Sequence, residues 1–317
     1  MGDASETRHD KYERLVEAAQ KKPAIKVAVA HPCDESSMRG VAEAVRLHLI
    51  EPILVGPVDR IRSAAKEVGF DLGGVELVGA EHSHASAEKA VELVRAGRAE
   101  ALMKGSLHTD ELMGAVVSKT SGIRTERRIS HCFIMDVPGQ PDPLIVTDAA
   151  VNIAPDLDAK VDIIQNAIDL AHAMGAEEVR VAILSAMETV TTKVPSTIEA
   201  AALCKMADRG QITGAVIDGP LALDNAISPE AAAIKKIASP VAGRANVLVV
   251  PDLEAGNMLA KSLSFLANAD AAGIVLGARV PIILTSRADS LLSRLASCAV
   301  AVMVGAAKRK AAVHTVQ

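Results

Sequence analysis

The sequence predicts an α/β protein with a mainly parallel sheet covered by helices, and three observations carry that prediction. Short runs rich in Val, Ile and Leu recur along the chain, and Ala-rich stretches with helical spacing separate most of them. The runs are continuously apolar rather than alternating, which implies strands buried on both faces. In order the strands are IKVAVA (25–30), PILVG (52–56), VELVGA (75–80), ALMKG (101–105), CFIMD (132–136), LIVTD (144–148), VRVAILS (179–185), GAVIDG (214–219) and NVLVVPD (246–252). Amphipathic spacing predicts helices over 34–50 and 156–175. In such a sheet, function lies in the loops at the carboxyl ends of the strands.

A chain of 317 residues, half of them hydrophobic, can bury a large core, and its length is a prior for about two domains. The Pro- and Asp-rich stretch VPGQPDPLIVTDAAVNIAPD (137–156) separates a first group of βα units from a second and places a boundary near residue 140. No apolar run approaches the ~20 residues of a membrane span, and the charged N-terminus does not read as a secretory signal, so a cytoplasmic enzyme with no membrane partner is expected. Cys33, Cys132, Cys204 and Cys298 lie far apart among apolar neighbours without a CxxC pair, and are read as reduced structural thiols. A net charge of −5 and an aromatic content of 1% leave neither a basic field nor stacking platforms for nucleic acid. Attraction of an anionic substrate therefore falls to a few placed arginines and helix ends.

Such placements occur near the end of the chain. In GIVLGARVPIILTSRADSLLSRLASCAVAVMV (273–304), the buried strands Gly273–Leu276 and Val280–Leu284 are each followed by an arginine, Arg279 and Arg287. Leu291, Leu292, Leu295 and Val302 then recur with helical spacing, so Thr285–Asp289 is a strand-to-helix turn with Ser286, Asp289 or Ser290 as cap. A helix N-terminus with a bidentate arginine beside it attracts an anion, although a capped helix with a surface arginine has the same pattern. A second such turn follows Val250: PDLEAGN leads into a helix whose apolar face is Met258, Leu259, Leu263 and Leu266, with Gly256 and Asn257 at its start. Gly256 there permits either ordinary helix initiation or close approach of a ligand to the backbone.

Five separated blocks, KGSLHT, VTDAAVNIAPDL, DGPLALDNAIS, VVPDLEAGNMLAK and GARVPIILTSRADS, in this order and spacing, resemble the phosphate acetyltransferase and phosphate butyryltransferase family from about residue 23 to about 304. The resemblance implies reversible transfer of a short acyl group, acetyl or butyryl, between coenzyme A and inorganic phosphate. Acyl-CoA and phosphate are then the partners, coenzyme A is a substrate, and neither a metal nor another cofactor is needed. The implied fold has two three-layer α/β domains flanking a cleft, shared with the isocitrate and isopropylmalate dehydrogenases. Residues 1–140 and 277–317 form a discontinuous first domain, 141–276 form the second, and members of the family usually form homodimers. By the same resemblance Arg279, Ser286 and Arg287 line the cleft and bind phosphate, acyl phosphate or the phosphates of CoA.

One position departs from the family. The acetyltransferases carry an aspartate, read as the base on the CoA thiol, six residues after the arginine of the SR pair; here that residue is Ser293. The departure matches the butyryltransferase branch or its short acetyltransferase relatives and leaves Asp289 as the nearest replacement carboxylate. Lys104, Ser106 and Thr109, at the end of the ALMKG strand, become a cleft wall by the resemblance and a capped surface turn without it. Arg124, in GIRT, is a candidate substrate contact among three clustered arginines, Arg124, Arg127 and Arg128, which otherwise form a solvated face. Asp148, Asp156 and Asp158 suggest metal ligands only weakly, since two of them stand where the next helix needs caps. His31, His108 and His131 are read as hydrogen-bonded structural residues.

Two other classes stay open. A metal- and NAD-dependent decarboxylating dehydrogenase of the same fold needs clustered aspartates and a lysine–tyrosine pair, but Tyr12 is the single tyrosine. A catalytically silent acyl-CoA-binding homologue is compatible with Ser293.

Overall fold

In the structure, a computed structural model describing residues 10–285 and 289–315, strand and helix alternate from end to end. Ser286 and Arg287 lie outside the described residues. The elements run α1 (Asp10–Gln20), β1 (Ile25–Ala30), α2 (Glu35–Arg46), β2 (Ile50–Gly56), α3 (Val58–Val68), β3 (Glu76–Gly79), α4 (Ser83–Arg95), β4 (Ala101–Lys104) and α5 (Thr109–Val117). They continue with β5 (Ser130–Asp136), β6 (Leu144–Thr147), α6 (Leu157–Ala173), β7 (Arg180–Leu184), α7 (Pro195–Asp208), β8 (Val216–Leu221), α8 (Leu223–Ile227), α9 (Pro229–Ile234), β9 (Val247–Val249) and α10 (Leu253–Leu266). β10 (Asp270–Leu276), β11 (Ile282–Ile283) and α11 (Leu291–Thr315) complete the chain. Each expected strand and the helix over 156–175 correspond to one of these elements. The helix expected over 34–50 stops at Arg46, because Ile50 pairs with Ile25 as the first residue of β2.

The chain divides into two compact units. One comprises residues 12–127 and 272–317, the other 1–11 and 128–271. These divisions fall at 127/128 and 271/272 rather than at 140 and 277, because the antiparallel pairing of β5 with β6 ties together the two sides of residues 137–143, where the sequence placed the boundary.

In the first unit the strands lie in the order β3-β2-β1-β4-β11-β10. β1 is parallel to both β2 and β4, so the order reverses between β1 and β4. In parallel sheets such a reversal leaves a crevice at the carboxyl ends. β11 is parallel to β4 and antiparallel to β10, which brings Leu284 and Thr285 to the same end of the sheet as Lys104. α11 packs against α2 and β11. By composition its stretch Leu291–Ala311, 21 residues of mean hydropathy 1.5, is apolar enough to cross a membrane, and 67% of its most apolar part is buried within the protein. Ser293, Arg294 and Ser297 interrupt the apolar run in the sequence, which is why it did not read as a span.

The second unit has the order β5-β6-β9-β7-β8, parallel except for the β5–β6 pair. Val146, Ala182, Leu184, Leu248 and Val250 anchor its core, with Leu259 and Leu263 of α10 packed against them. Met258 and Leu266, expected on the same apolar face, are 64% and 83% exposed. The buried stripe of α10 is thus narrower than its hydrophobic pattern. The same holds at the start of α11, where Leu291 is 39% exposed but Leu295 is buried.

Candidate functional site

The reversal between β1 and β4 is closed by two loops that the backbone zips together. Gly105 N–H donates to Ala30 O (2.9 Å) and Ser106 N–H to His31 O (2.9 Å). A Cβ on Gly105 would stand 2.5 Å from Ala30 O, so the Lys-Gly-Ser turn needs glycine here for a close approach of backbone to backbone. Ser106 Oγ donates to His31 O (2.7 Å) and accepts from Cys33 N–H (3.3 Å). This predicted site serine therefore fixes the loop after β1. Thr109, the first residue of α5, is exposed at the same end of the sheet.

Lys104, the last residue of β4, is 4% exposed. Its Nζ lies 3.4 Å from Thr285 O and 3.5 Å from Gly105 O. A second buried cation, Arg294 on α11, is also 4% exposed. Its guanidinium donates to Ser36 Oγ in the first turn of α2 (3.0 Å) and reaches Thr285 Oγ1 (3.4 Å). Both oxygens of Thr285 thus face a cation, and Thr285 directly precedes the Ser286–Arg287 pair in sequence. Arg294 was not among the sequence candidates, yet it is the single charged residue between Leu291 and Ala307. A lone charge inside a buried apolar helix was the available signal.

Ser290 caps α11: its Oγ accepts from Ser293 N–H (3.1 Å). Asp289, another of the three expected caps, is half-buried beside it. A serine satisfies this amide because its oxygen sits three residues before the donor, the spacing a cap requires. Ser293, at the family's aspartate position, is buried and accepts the Ser297 hydroxyl on its carbonyl (2.8 Å).

Two further candidates are brought together in the first unit. Arg124 and Ala278 form an antiparallel bridge, and Arg279 N–H donates to Ile123 O (3.0 Å). Arg124 and Arg279 are therefore near neighbours, and both are exposed. Arg128, by contrast, belongs to the second unit and is used internally: Nε donates to Asn152 Oδ1 (2.8 Å) and its amide to Asp162 (2.8 Å).

In the second unit, Gly256 and Asn257 hold the loop after β6 against α10. A Cβ on Gly256 would stand 2.7 Å from a Val250 methyl and 2.8 Å from Ala149 Cβ, so the close approach seen at this glycine is by the protein's own loop. Asn257 Nδ2 donates to Ala149 O (3.4 Å). Asp148 gathers the same loop: its carboxylate accepts from the amides of Ala150 (3.0 Å), Val151 (3.0 Å) and Asn152 (3.2 Å) and from Asn152 Nδ2 (2.5 Å). Asp156 caps α6 through Ala159 N–H (2.9 Å). Among the described residues no group of three or more His, Cys, Asp or Glu is placed to hold a metal ion.

Titratable groups near these loops are tuned by burial. Desolvation, aided by the charge of Arg60, lowers the pKa of His31, whose Nδ1 meets Ser86 Oγ at 3.0 Å. His131 is pushed down to about 4 by burial, against the opposing charge of Asp148, and packs edge-on to Phe133 at 4.4 Å. Burial raises the Cys33 thiol to about 11 and those of Cys132, Cys204 and Cys298 to about 12. None of the four supplies a thiolate near neutral pH.

A family profile described as "Phosphate acetyl/butaryl transferase" matches residues 84–302. A phosphate acetyltransferase from Rhizobium meliloti is 65% identical over 306 residues, 96% of this chain and 97% of that one. A phosphate butyryltransferase from Clostridium beijerinckii is 41% identical over 93% of this chain and 98% of that one. Among solved structures, a branched-chain phosphotransacylase from Enterococcus faecalis V583 superposes with a TM-score of 0.77 at 30% identity, covering 89% of this chain and 99% of that one. The 4-hydroxythreonine-4-phosphate dehydrogenase of Klebsiella pneumoniae shares the fold alone, with a TM-score of 0.54 at 12% identity over 89% of this chain and 99% of its own.

Proposed function

The chain belongs to the phosphate acetyl/butyryl transferase family and is a phosphate acyltransferase, and we propose that it exchanges an acetyl group between coenzyme A and inorganic phosphate. The observation that carries the choice of acetyl is the 65% identity, over nearly the full length of both chains, to a phosphate acetyltransferase; the butyryltransferase relative stands at 41%.

In the reaction a phosphate oxygen attacks the thioester carbonyl carbon and a C–O bond forms. The tetrahedral intermediate then breaks its C–S bond, the electron pair leaves with sulfur, and the proton of hydrogen phosphate ends on the CoA thiol. Arg287, Ser286 and Arg279 hold the phosphate oxygens and the developing oxyanion, with Lys104 and the crevice between β1 and β4 adding positive potential. Ser106 and Thr109 shape the wall, and Arg124 meets a phosphate of CoA beside Arg279. Asp289 is the carboxylate we assign to take the thiol proton in the reverse direction, since a serine at 293 is no base.

In this reading the enzyme works as a cytoplasmic homodimer, and it uses no metal or other cofactor. The carboxylates a metal-dependent dehydrogenase would need are engaged instead, Asp148 by loop amides and Asp156 by a helix cap.

Phosphate-dependent thiol release from acetyl-, propionyl- and butyryl-CoA tests the proposal. The expected order of kcat/KM is acetyl above propionyl above butyryl. A preference for butyryl-CoA overturns the chain-length assignment, and absence of phosphate-dependent release from all three overturns the reaction.

A further inference from the structure

The loop after β1 holds an imidazole that the reaction as described leaves unused. His31 is the first residue beyond β1, at the reversal between β1 and β4, and is 6% exposed. Its φ of 58° is left-handed, and Pro32 follows it. Residues other than glycine visit that region rarely, and a residue before proline is pushed towards extended backbone. Hydrogen bonds hold His31 there. Its N–H donates to Val55 O (2.7 Å), and its carbonyl accepts from the Cys33 amide (2.9 Å), the Ser106 amide (2.9 Å) and Ser106 Oγ (2.7 Å). Backbone strain over-determined in this way clusters at ligand sites. Glycine or asparagine fits such a backbone at least as well, so the backbone does not account for the imidazole.

The partners of the ring fix its tautomer. Ser86 Oγ has one hydrogen and donates it to His82 O (2.8 Å). Towards His31 Nδ1, at 3.0 Å, it is therefore the acceptor, and Nδ1 carries the ring proton. Nε2 is left as a bare lone pair, with no hydrogen-bond partner among the described residues. The charged and titratable groups around the ring are Arg60 on α3, Glu111 on α5, Asp34 before α2 and His82 before α4. Both carboxylates are engaged elsewhere: Asp34 accepts from the Ser37 amide (2.8 Å) and hydroxyl (2.6 Å), and Glu111 from Ser83 Oγ (2.5 Å) and the His108 amide (2.7 Å), with His84 Nδ1 at 3.0 Å. Burial and the charge of Arg60 lower the pKa of His31, which keeps the ring neutral near pH 7.

Arginine and lysine only donate, so they grip two tetrahedral dianions, hydrogen phosphate and sulfate, alike. The difference between these anions is one proton. Near neutral pH phosphate carries a P–OH group, and sulfate has no hydrogen to offer. A neutral acceptor in the site reads that proton, because against sulfate its lone pair faces another lone pair and stays unpaired.

We propose that His31 is a specificity residue of the phosphate site: its Nε2 accepts the hydroxyl hydrogen of hydrogen phosphate and thereby discriminates against sulfate. This rests on the phosphate acyltransferase reading and seats the inorganic phosphate at the reversal between β1 and β4, where open parallel sheets bind their ligands. The arginines supply charge, and His31 supplies the acceptor that they lack.

Isothermal titration calorimetry with inorganic phosphate and with sulfate, and steady-state kinetics with sulfate as competitor, test this in the wild type and in His31→Asn. Asparagine tolerates left-handed backbone, and its Nδ2–H replaces Nδ1–H towards Ser86, so the variant removes Nε2 and little else. At about pH 8 the wild type binds phosphate at least about tenfold more tightly than sulfate. In His31→Asn that ratio falls by about tenfold and KM for phosphate rises by a similar factor, while KM for acetyl-CoA stays within about twofold. Acidification adds a readout that a structural role does not move. Sulfate does not titrate in this range, but an imidazolium at His31 donates from Nε2, so sulfate competition strengthens below pH 6.5 in the wild type and less in His31→Asn.

A folded His31→Asn with the wild-type phosphate-to-sulfate ratio overturns the proposal, as does a wild type that binds both anions equally at about pH 8. If His31→Asn fails to fold, Ser86→Ala carries the test: Nδ1 loses its acceptor, the proton moves to Nε2 and the ratio falls, whereas an unchanged ratio overturns the proposal. Failure of the two levels is distinguishable. Absence of phosphate-dependent thiol release in the wild type strikes the acyltransferase reading; normal release with an unchanged ratio in His31→Asn strikes His31 alone.

Discussion

Two loops at the carboxyl ends of strands, one in each unit, show opposite ways of burying charge. After β6, Asp148 is surrounded by donors at 2.5 to 3.2 Å, all from residues within four positions of it. After β4 and β11, Lys104 lies 3.4 Å from the carbonyl of Thr285, 181 positions away, and 3.5 Å from that of its neighbour Gly105, while Arg294 reaches Thr285 Oγ1 at 3.4 Å and Ser36 Oγ, 258 positions away, at 3.0 Å. The first arrangement is short, local and saturated, the signature of a structural knot. The second gathers two buried cations around Thr285 through contacts between distant elements, an arrangement that concentrates positive charge.

The largest effect that would break this contrast is at Arg287. Arg287→Ala should lose kcat by on the order of 10²-fold or more, and Arg287→Lys should lose nearly as much, because one charge without the planar fork does not hold two phosphate oxygens. Wild-type steady-state parameters in either folded variant would remove the anion site from the first unit.

Next is the knot in the second unit. Asp148→Ala strands the buried backbone and side-chain amides of Asn152 and releases the more exposed amides of Ala150 and Val151, and should cost about 3 kcal/mol in urea unfolding. A cost below about 1 kcal/mol would show that the loop does not depend on its carboxylate.

The two glycines sharpen the comparison further. Gly105→Ala drives a methyl group into the Ala30 carbonyl, which is backbone, and should destabilise by about 3 kcal/mol. Gly256→Ala meets the Val250 and Ala149 side chains, one of which can rotate away, and should cost about half as much. Equal midpoint shifts in denaturant would mean that both loops yield alike.

A smaller effect concerns pH. His131 in the second unit has a folded pKa of about 4, below the ordinary 6.5, so the unfolded chain binds more protons as the medium is acidified. The stability it confers is fully present above 6.5 and is lost as pH falls towards 4, by about 2 kcal/mol between pH 7 and 5. His31 in the first unit shifts the same way. His131→Gln should flatten the dependence of Tm on pH over that window, and an unchanged slope would exclude His131 as its source.

The smallest expected effect is none. Exhaustive EDTA treatment should leave the acyl-transfer rate unchanged in both directions, and loss of turnover restored by magnesium or manganese would revive the metal-dependent alternative.

What can be read directly from the sequence is whatever is settled within a turn or two of chain. Continuous apolar runs gave the strands, the 3.6-residue spacing gave α2 and α6, and Asp156 stood at the right offset to cap α6. The five blocks placed the chain in its family, and with it the SR pair and Arg279. The tertiary structure alone decided which residues meet at the ends of these strands. β11 inserts between β4 and β10, and only that crossing sets Thr285 beside Lys104, 181 positions away. Arg294 and Ser36 are separated by 258 positions, so no periodicity could pair them. Asp148 read as a possible metal ligand because a carboxylate in sequence carries no record of which amides will turn towards it. Hydrophobic pattern acts over neighbours, whereas the placement of a buried charge depends on every element packed around it, and those elements become neighbours only when the sheet has formed.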